Sequence, residues 1–185
     1  MPIASVILPC FRCSATLPRL LEALARQTRQ DFEAILVDDG SPQPIAADPG
    51  VWPFPLRILR QPNRGLPAAR NAGAAAARGE YLWFLDADVV PVPGALVAHL
   101  AAQARSPGPT VTLGALPLSS AGAPAPDDPS GAPASAFLWY LERWGQYDLY
   151  ARPGKYAAGR PPIHPGPGNA LLPRAVFEQF GPYDE

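Results

Sequence analysis

The chain has 185 residues and 19.6 kDa, 48% of them hydrophobic and 17% charged. That suffices for one domain with a sizeable core and argues against general disorder. Lys plus Arg number 15 and Asp plus Glu 16, for a formal net charge of -1, without the basic excess by which nucleic-acid binders neutralise phosphates. Lys155 is the one lysine, so lysine-dependent chemistry has a single candidate. Cys10 and Cys13 form a Cys-x-x-Cys pair. With no downstream Cys or His cluster they cannot supply a four-ligand zinc site, and they read as two incidental reduced thiols rather than a thioredoxin-like motif. No basic segment leads into an apolar stretch and cleavage site, and no apolar run reaches the ~18 residues that span a bilayer. A cytoplasmic protein is predicted, at most peripheral to the inner face of the membrane, with no transmembrane segment.

In chain order, Ser5 to Leu8 is a short apolar run stopped by Pro9, as in a buried parallel strand. Leu17, Leu20, Leu21 and Leu24 recur on one helical face, which Thr16 is placed to cap. Glu33 to Val37 reads as a second strand, ending at Asp38-Asp39-Gly40-Ser41 with turn chemistry. Leu56 to Leu59 is a weaker third strand. Gly65-Leu66-Pro67 opens an alanine-rich helix to about Arg78, and Gly79 leads into a strand from Glu80 to Leu85. Gly94 to Arg105 reads as a helix and Val111 to Leu116 as a strand. This alternation predicts an α/β fold: a Rossmann-like, mostly parallel sheet with helices on both faces.

Pro117 to Ser135 is mostly Ala, Pro, Gly, Ser and Asp, and reads as a loop or spacer. Ala136 to Tyr150 carries Phe137, Leu138, Leu141 and Trp144 on helical spacing, with Trp139, Tyr140, Tyr147 and Tyr150 alongside. Asn169 to Leu172 reads as a strand and Ala175 to Phe180 as a short helix stopped by Gly181-Pro182. The expected organisation is an α/β unit at 1–116, a loop at 117–135, and a partial unit at 136–185.

Ligands of open parallel sheets bind beyond the carboxyl ends of the strands. Four polar clusters fall there: Pro9 to Arg12, Asp38 to Ser41, Asn63 to Asn71, and Asp86 to Asp88. On an extended backbone Asp86 and Asp88 would point to one side, and two clustered anions call for a cation such as Mg²⁺ or Mn²⁺ with substrate phosphates completing its shell. A carboxylate at Asp38 or Asp39 can accept hydrogen bonds from a base N–H or ribose hydroxyls, or form an Asx turn. Arg70 and Asn71, near a helix start, suit an anion or a polar base edge. Gly73 and its flanking alanines read as small residues that let the helix approach the sheet.

Taken together, Ser5-Val6-Ile7-Leu8-Pro9, Val37-Asp38-Asp39-Gly40-Ser41, Asn63 to Gly73, Phe84-Leu85-Asp86-Ala87-Asp88, Gly168 to Arg174 and Phe180 to Glu185 resemble, in order and spacing, the amino-terminal part of an inverting family 2 glycosyltransferase of the GT-A fold. The resemblance implies that 1–116 is a nucleotide-sugar-binding unit and 136–185 a partial acceptor-side unit, and that Pro9 and the residues after it, Phe11 included, line the nucleoside pocket. It implies that Asp38 and Asp39 serve the nucleotide, with Asp39 on the base or ribose, and that Arg70 helps hold the base. Asp88 would bind a Mn²⁺ or Mg²⁺ ion, with Asp86 on the ribose or the metal's shell.

The implied donor is a nucleoside-diphosphate sugar, UDP-sugar first, and the implied acceptor a saccharide or lipid-linked hydroxyl. Two positions depart from the pattern. Arg12 stands where an Asn is usual, and the chain ends at Glu185, before the further acidic pair that supplies the family's base. Asp184 is the candidate base within this chain, a residue beyond Glu185 the stronger expectation. A haloacid-dehalogenase-type phosphatase would need Asp86 as nucleophile, a lysine and later paired acids, which Lys155 and Asp127-Asp128 match poorly. A sugar-nucleotide-binding fragment without turnover is the non-enzymatic alternative.

Overall fold

The computed structural model describes residues 1–108, 110–114 and 168–183. The expected loop at 117–135, the aromatic segment at 136–150, Lys155, Asp184 and Glu185 lie outside the described residues. Six strands, β1 (Ala4–Cys10), β2 (Phe32–Asp39), β3 (Leu56–Gln61), β4 (Tyr81–Leu85), β5 (Thr112–Leu113) and β6 (Asn169–Pro173), form one sheet in the order β3-β2-β1-β4-β6-β5. The first four pair in parallel, and β6 runs antiparallel to both β4 and β5. Among the described residues the helices are α1 (Leu17–Ala25), α2 (Leu66–Ala76), α3 (Ala95–Arg105) and α4 (Arg174–Phe180).

Strand alternation sorts the core into two layers. Val6, Leu8, Ala34, Leu36, Trp83 and Leu85 pack with Leu17, Leu20, Leu21 and Leu24 of α1 and Leu96 of α3. The intervening Ile7, Leu82 and Phe84 pack with Ala74 of α2 and with Val176 and Phe177 of α4, and Ile35 and Val37 pack with Ala69 of α2. Each fully buried large aliphatic or aromatic side chain stabilises the fold by about 1.5–3 kcal/mol. Gly73 faces Ile7 so closely that a Cβ there would overlap the Ile7 Cγ2 atom, and the expectation of a small residue at this approach is met.

Some boundaries differ from those read off the sequence. Strand β2 continues through Asp38 and Asp39 because its ladder to β1 and β3 persists to those residues. Thr16 occupies the position before α1, but its hydroxyl donates back to the Cys13 carbonyl (3.2 Å) instead of capping the helix. The two cysteines are joined as a disulfide, not left as separate thiols, because the turn after β1 brings their Cα atoms to 5.5 Å, within disulfide range.

A buried polar network seats β6. His99 of α3 lies between Thr112 Oγ1 (2.7 Å) and Asn169 Oδ1 (3.0 Å), and the Trp83 indole N–H donates to the same Asn169 oxygen (2.8 Å). Burial holds the His99 pKa down at about 4, so the ring is neutral in the folded protein near pH 7.

Candidate active site

The chain runs from β1 outward through β2 to β3, then returns to place β4 on the other side of β1. The order therefore reverses between β1 and β4, and a crevice opens beyond their carboxyl ends. All four polar clusters named from the sequence lie around this edge.

At the end of β1, Pro9 is buried and still in register with Val37, whereas pairing to β4 stops at Ile7, before a residue with no N–H is reached. Phe11 is 46% exposed, and the Arg12 guanidinium lies over its ring at 5.1 Å. Arg12 adopts the left-handed conformation (φ 56°), and its N–H donates to Ser41 Oγ (3.0 Å). Asn tolerates this conformation best after Gly, which explains why an Asn suits the position physically.

Asp38 is buried under the next turn. Its carboxylate accepts the N–H groups of Ser41 (2.9 Å) and Ile45 (3.4 Å) and pairs with Arg60 (2.8 Å). Burial pushes this carboxyl up, but the Ser41 and Ile45 hydrogen bonds and the Arg60 charge outweigh it and hold the pKa below the usual carboxylate range. Asp39 accepts from Gln61 Nε2 (2.8 Å), Arg64 N (3.0 Å) and Gly65 N (2.8 Å), which folds the Asn63–Gly65 loop onto β2. Gly40 (φ 75°) admits this loop, since a Cβ would sit 2.5 Å from Asn63 N. Arg60 and Gln61 were not singled out from sequence; the signal was the register, which sets them opposite Asp38 and Asp39 at the end of β3.

Past β4 the backbone does not stay extended. The Val89 N–H donates to the Asp86 carbonyl (3.0 Å), closing a turn over Asp86–Val89, so the alternation that would point Asp86 and Asp88 to one side does not apply. Asp86 is half-buried and its Oδ1 pairs with Arg70 (2.8 Å), while Asp88 is exposed. Asp86 Oδ2 lies against the bare face of Gly168, where a Cβ would overlap it, and the Asp86 N–H donates to the Gly168 carbonyl (2.8 Å).

The Arg70 guanidinium also lies over the Tyr183 ring at 5.4 Å. Tyr183 is 6% exposed, and its phenol pKa is raised, first by burial and also by Asp86, against the lowering effect of Arg70. Among the described residues no three His, Cys, Asp or Glu side chains gather to hold an ion. Two carboxylates are a fitting partial set for Mg²⁺ or Mn²⁺, which take oxygen ligands and share their shells with phosphates and water.

The fold is that of several solved GT-A glycosyltransferases. A mannosyltransferase from Pyrobaculum calidifontis, solved in complex with GDP-Man and Mn2+, aligns at TM-score 0.65 and 18% identity over 99% of this chain and 48% of that one. S. aureus TarS 1-349 in complex with UDP-GlcNAc aligns at TM-score 0.59 and 18% identity over 97% and 47%. In sequence, the glycosyltransferase EpsJ of Bacillus subtilis (strain 168) is 40% identical over 91 residues, 48% of this chain and 26% of that protein. The validoxylamine A glucosyltransferase of Streptomyces hygroscopicus subsp. jinggangensis is 37% identical over 120 residues, 62% of this chain and 28% of that protein. The chain thus aligns with about half of those solved structures and about a quarter of the curated relatives. Residues 5–180 match the family described as glycosyl transferase family 2, and with nearly its whole length matched the chain belongs to that family.

Proposed function

We propose that this chain binds a nucleoside-diphosphate sugar in the crevice between β1 and β4 and serves sugar transfer to an acceptor hydroxyl with inversion, dependent on Mn²⁺ or Mg²⁺. The observation that carries the reading is the end of β4, where Asp86 pairs with Arg70 beside the reversal of strand order and Asp88 stands exposed two residues on. The neighbours' titles, with GDP-Man and Mn2+ in one and UDP-GlcNAc in the other, support a nucleotide-sugar donor of this kind.

In this reading Pro9, Phe11 and the turn at Asp38 and Asp39 border the nucleoside. Asp39 offers its remaining acceptor capacity to a base N–H or ribose hydroxyl, which favours uracil as the base. Arg70 orients Asp86 toward the ribose or the ion's shell, and Asp88 is the exposed carboxylate that reaches the ion. Asp88, with Asp86 beside it, would hold the divalent ion, which when bound would supply compensation for the diphosphate charge. The acceptor is a saccharide or lipid-linked hydroxyl, whose proton a carboxylate removes during in-line attack. Asp184, outside the described residues, is the candidate for that role within this chain.

The test is calorimetric titration of UDP with Mn²⁺ or with chelator. UDP affinity is expected to fall at least tenfold on chelation, and Asp88→Asn to reproduce that loss with Mn²⁺ present. Equal affinity with and without chelator removes the metal from the reading.

A further inference from the structure

Tyr183 follows α4 by three residues and is held by one amide. Asn71 Nδ2 donates to the Tyr183 carbonyl (3.0 Å), and the Tyr183 N–H donates to Asn71 Oδ1 (2.9 Å). Only Asn and Gln side chains offer such a paired donor and acceptor to a peptide unit. The grip seats the Tyr183 ring edge-on to Phe84 (centroids 5.5 Å, 79°) and against the Arg70 guanidinium. Arg70 and Asn71 are neighbours on α2, so adjacent residues hold this distant segment, one by its ring and one by its backbone.

Beyond the ring, Arg70 reaches Asp86 Oδ1, and Gly168 leaves room for Oδ2. Two buried polar atoms at this junction, Arg70 Nε and Tyr183 Oη, have no hydrogen-bond partner among the described residues. Folded proteins keep few such atoms, and those that persist call for an explanation such as a functional role or an ordered water. The Arg70 guanidinium thus lies between the Tyr183 ring and the Asp86 carboxylate.

We propose that Asn71 and Tyr183 are positioning residues for Asp86. Docking of the segment after α4 on α2 sets the Tyr183 ring against Arg70, and Arg70 then fixes the direction in which Asp86 presents its carboxylate to the donor. The consequence for binding rests on the function proposed above; the positioning itself concerns the free protein.

The experiment has two arms. In the first, UDP is titrated into the wild-type chain, Asn71→Ala, Tyr183→Ala and Tyr183→Phe, each with Mn²⁺ and with chelator. Asn71→Ala and Tyr183→Ala are expected to weaken Mn²⁺-dependent UDP binding about tenfold with little change in chelator, and Tyr183→Phe, which retains the ring, to restore it. A general structural defect would lower both conditions alike.

In the second arm, unfolding of the ligand-free protein is measured for Asn71→Asp, Asp86→Asn and the double variant. Asn71→Asp keeps the bond from the Tyr183 N–H and loses the other, so it perturbs folding less than Asn71→Ala. The expected effects are non-additive by about threefold or more in the unfolding equilibrium constant, as for residues in one network. Additive effects overturn the positioning role. Wild-type protein that binds UDP with Mn²⁺, alongside an unaffected Asn71→Ala variant, overturns it as well. A wild-type chain that shows no Mn²⁺-dependent UDP binding overturns the functional reading, and the unfolding cycle then decides the positioning role by itself.

Discussion

Asp39 accepts three hydrogen bonds within the protein, which occupy three of about four acceptor directions on an ionised carboxylate. One direction remains, which the proposed reading gives to a base N–H or a ribose hydroxyl. Asp39→Ala is expected to lower UDP affinity by about 1–3 kcal/mol, as for loss of charge-assisted hydrogen bonds. Gln61→Ala removes one strut from the same carboxylate and is expected to cost less, about 0.5–1.5 kcal/mol. Titration of UDP into both variants checks the ranking, and an unchanged affinity in Asp39→Ala moves the nucleoside elsewhere. The Asp-Asp-Gly-Ser run was legible in the sequence as a polar turn at the end of a strand. Its division of labour, with Asp38 spent on Ser41, Ile45 and Arg60, was not, because Arg60 lies 22 residues away on another strand.

At the scale of elements, α2 joins sheet and site. Its alanines allow close packing on β1 and β2, and that closeness carries Arg70 to the end of β4. Gly73 sets the distance, since an added Cβ would meet both Ile7 Cγ2 and Val37 Cγ2. Gly73→Ala gains about 1 kcal/mol in helix propensity, but overpacking a core contact costs about 1–3 kcal/mol. The variant is expected to be less stable in chemical denaturation and to weaken Mn²⁺-dependent UDP binding by displacing Arg70. Equal stability and affinity would mean that α2 can shift without moving the site. The small-residue pattern of α2 was readable from sequence because close helix–sheet approach demands it.

For the molecule as a whole, the return of β6 into the sheet depends on the buried network around His99. The folded ring titrates near 4 and an unfolded histidine near 6.5. Between those values the unfolded chain binds more protons, so stability is fully present above about pH 6.5 and declines as pH falls toward 4. The loss attributable to His99 is on the order of 3 kcal/mol across that window. Urea midpoints between pH 7.5 and 4.5 are expected to fall accordingly, with a shallower pH dependence in His99→Gln. An equal slope in the two proteins would assign the acid sensitivity to other groups.

Local residue pattern alone determined the α/β class, the strands β1, β2 and β4, the helices on both faces and the four polar clusters at one edge, because alternation, helical spacing and turn residues act over a few positions. The tertiary structure decided what depends on distant partners. The ladder carried β2 through Asp38 and Asp39, the turn after Leu85 separated the environments of Asp86 and Asp88, and the last described residues came to rest on Arg70 and Asn71. No local pattern encodes these contacts: Asp86 lies 82 residues from Gly168 and Asn71 lies 112 from Tyr183, and only packing of the sheet brings them together.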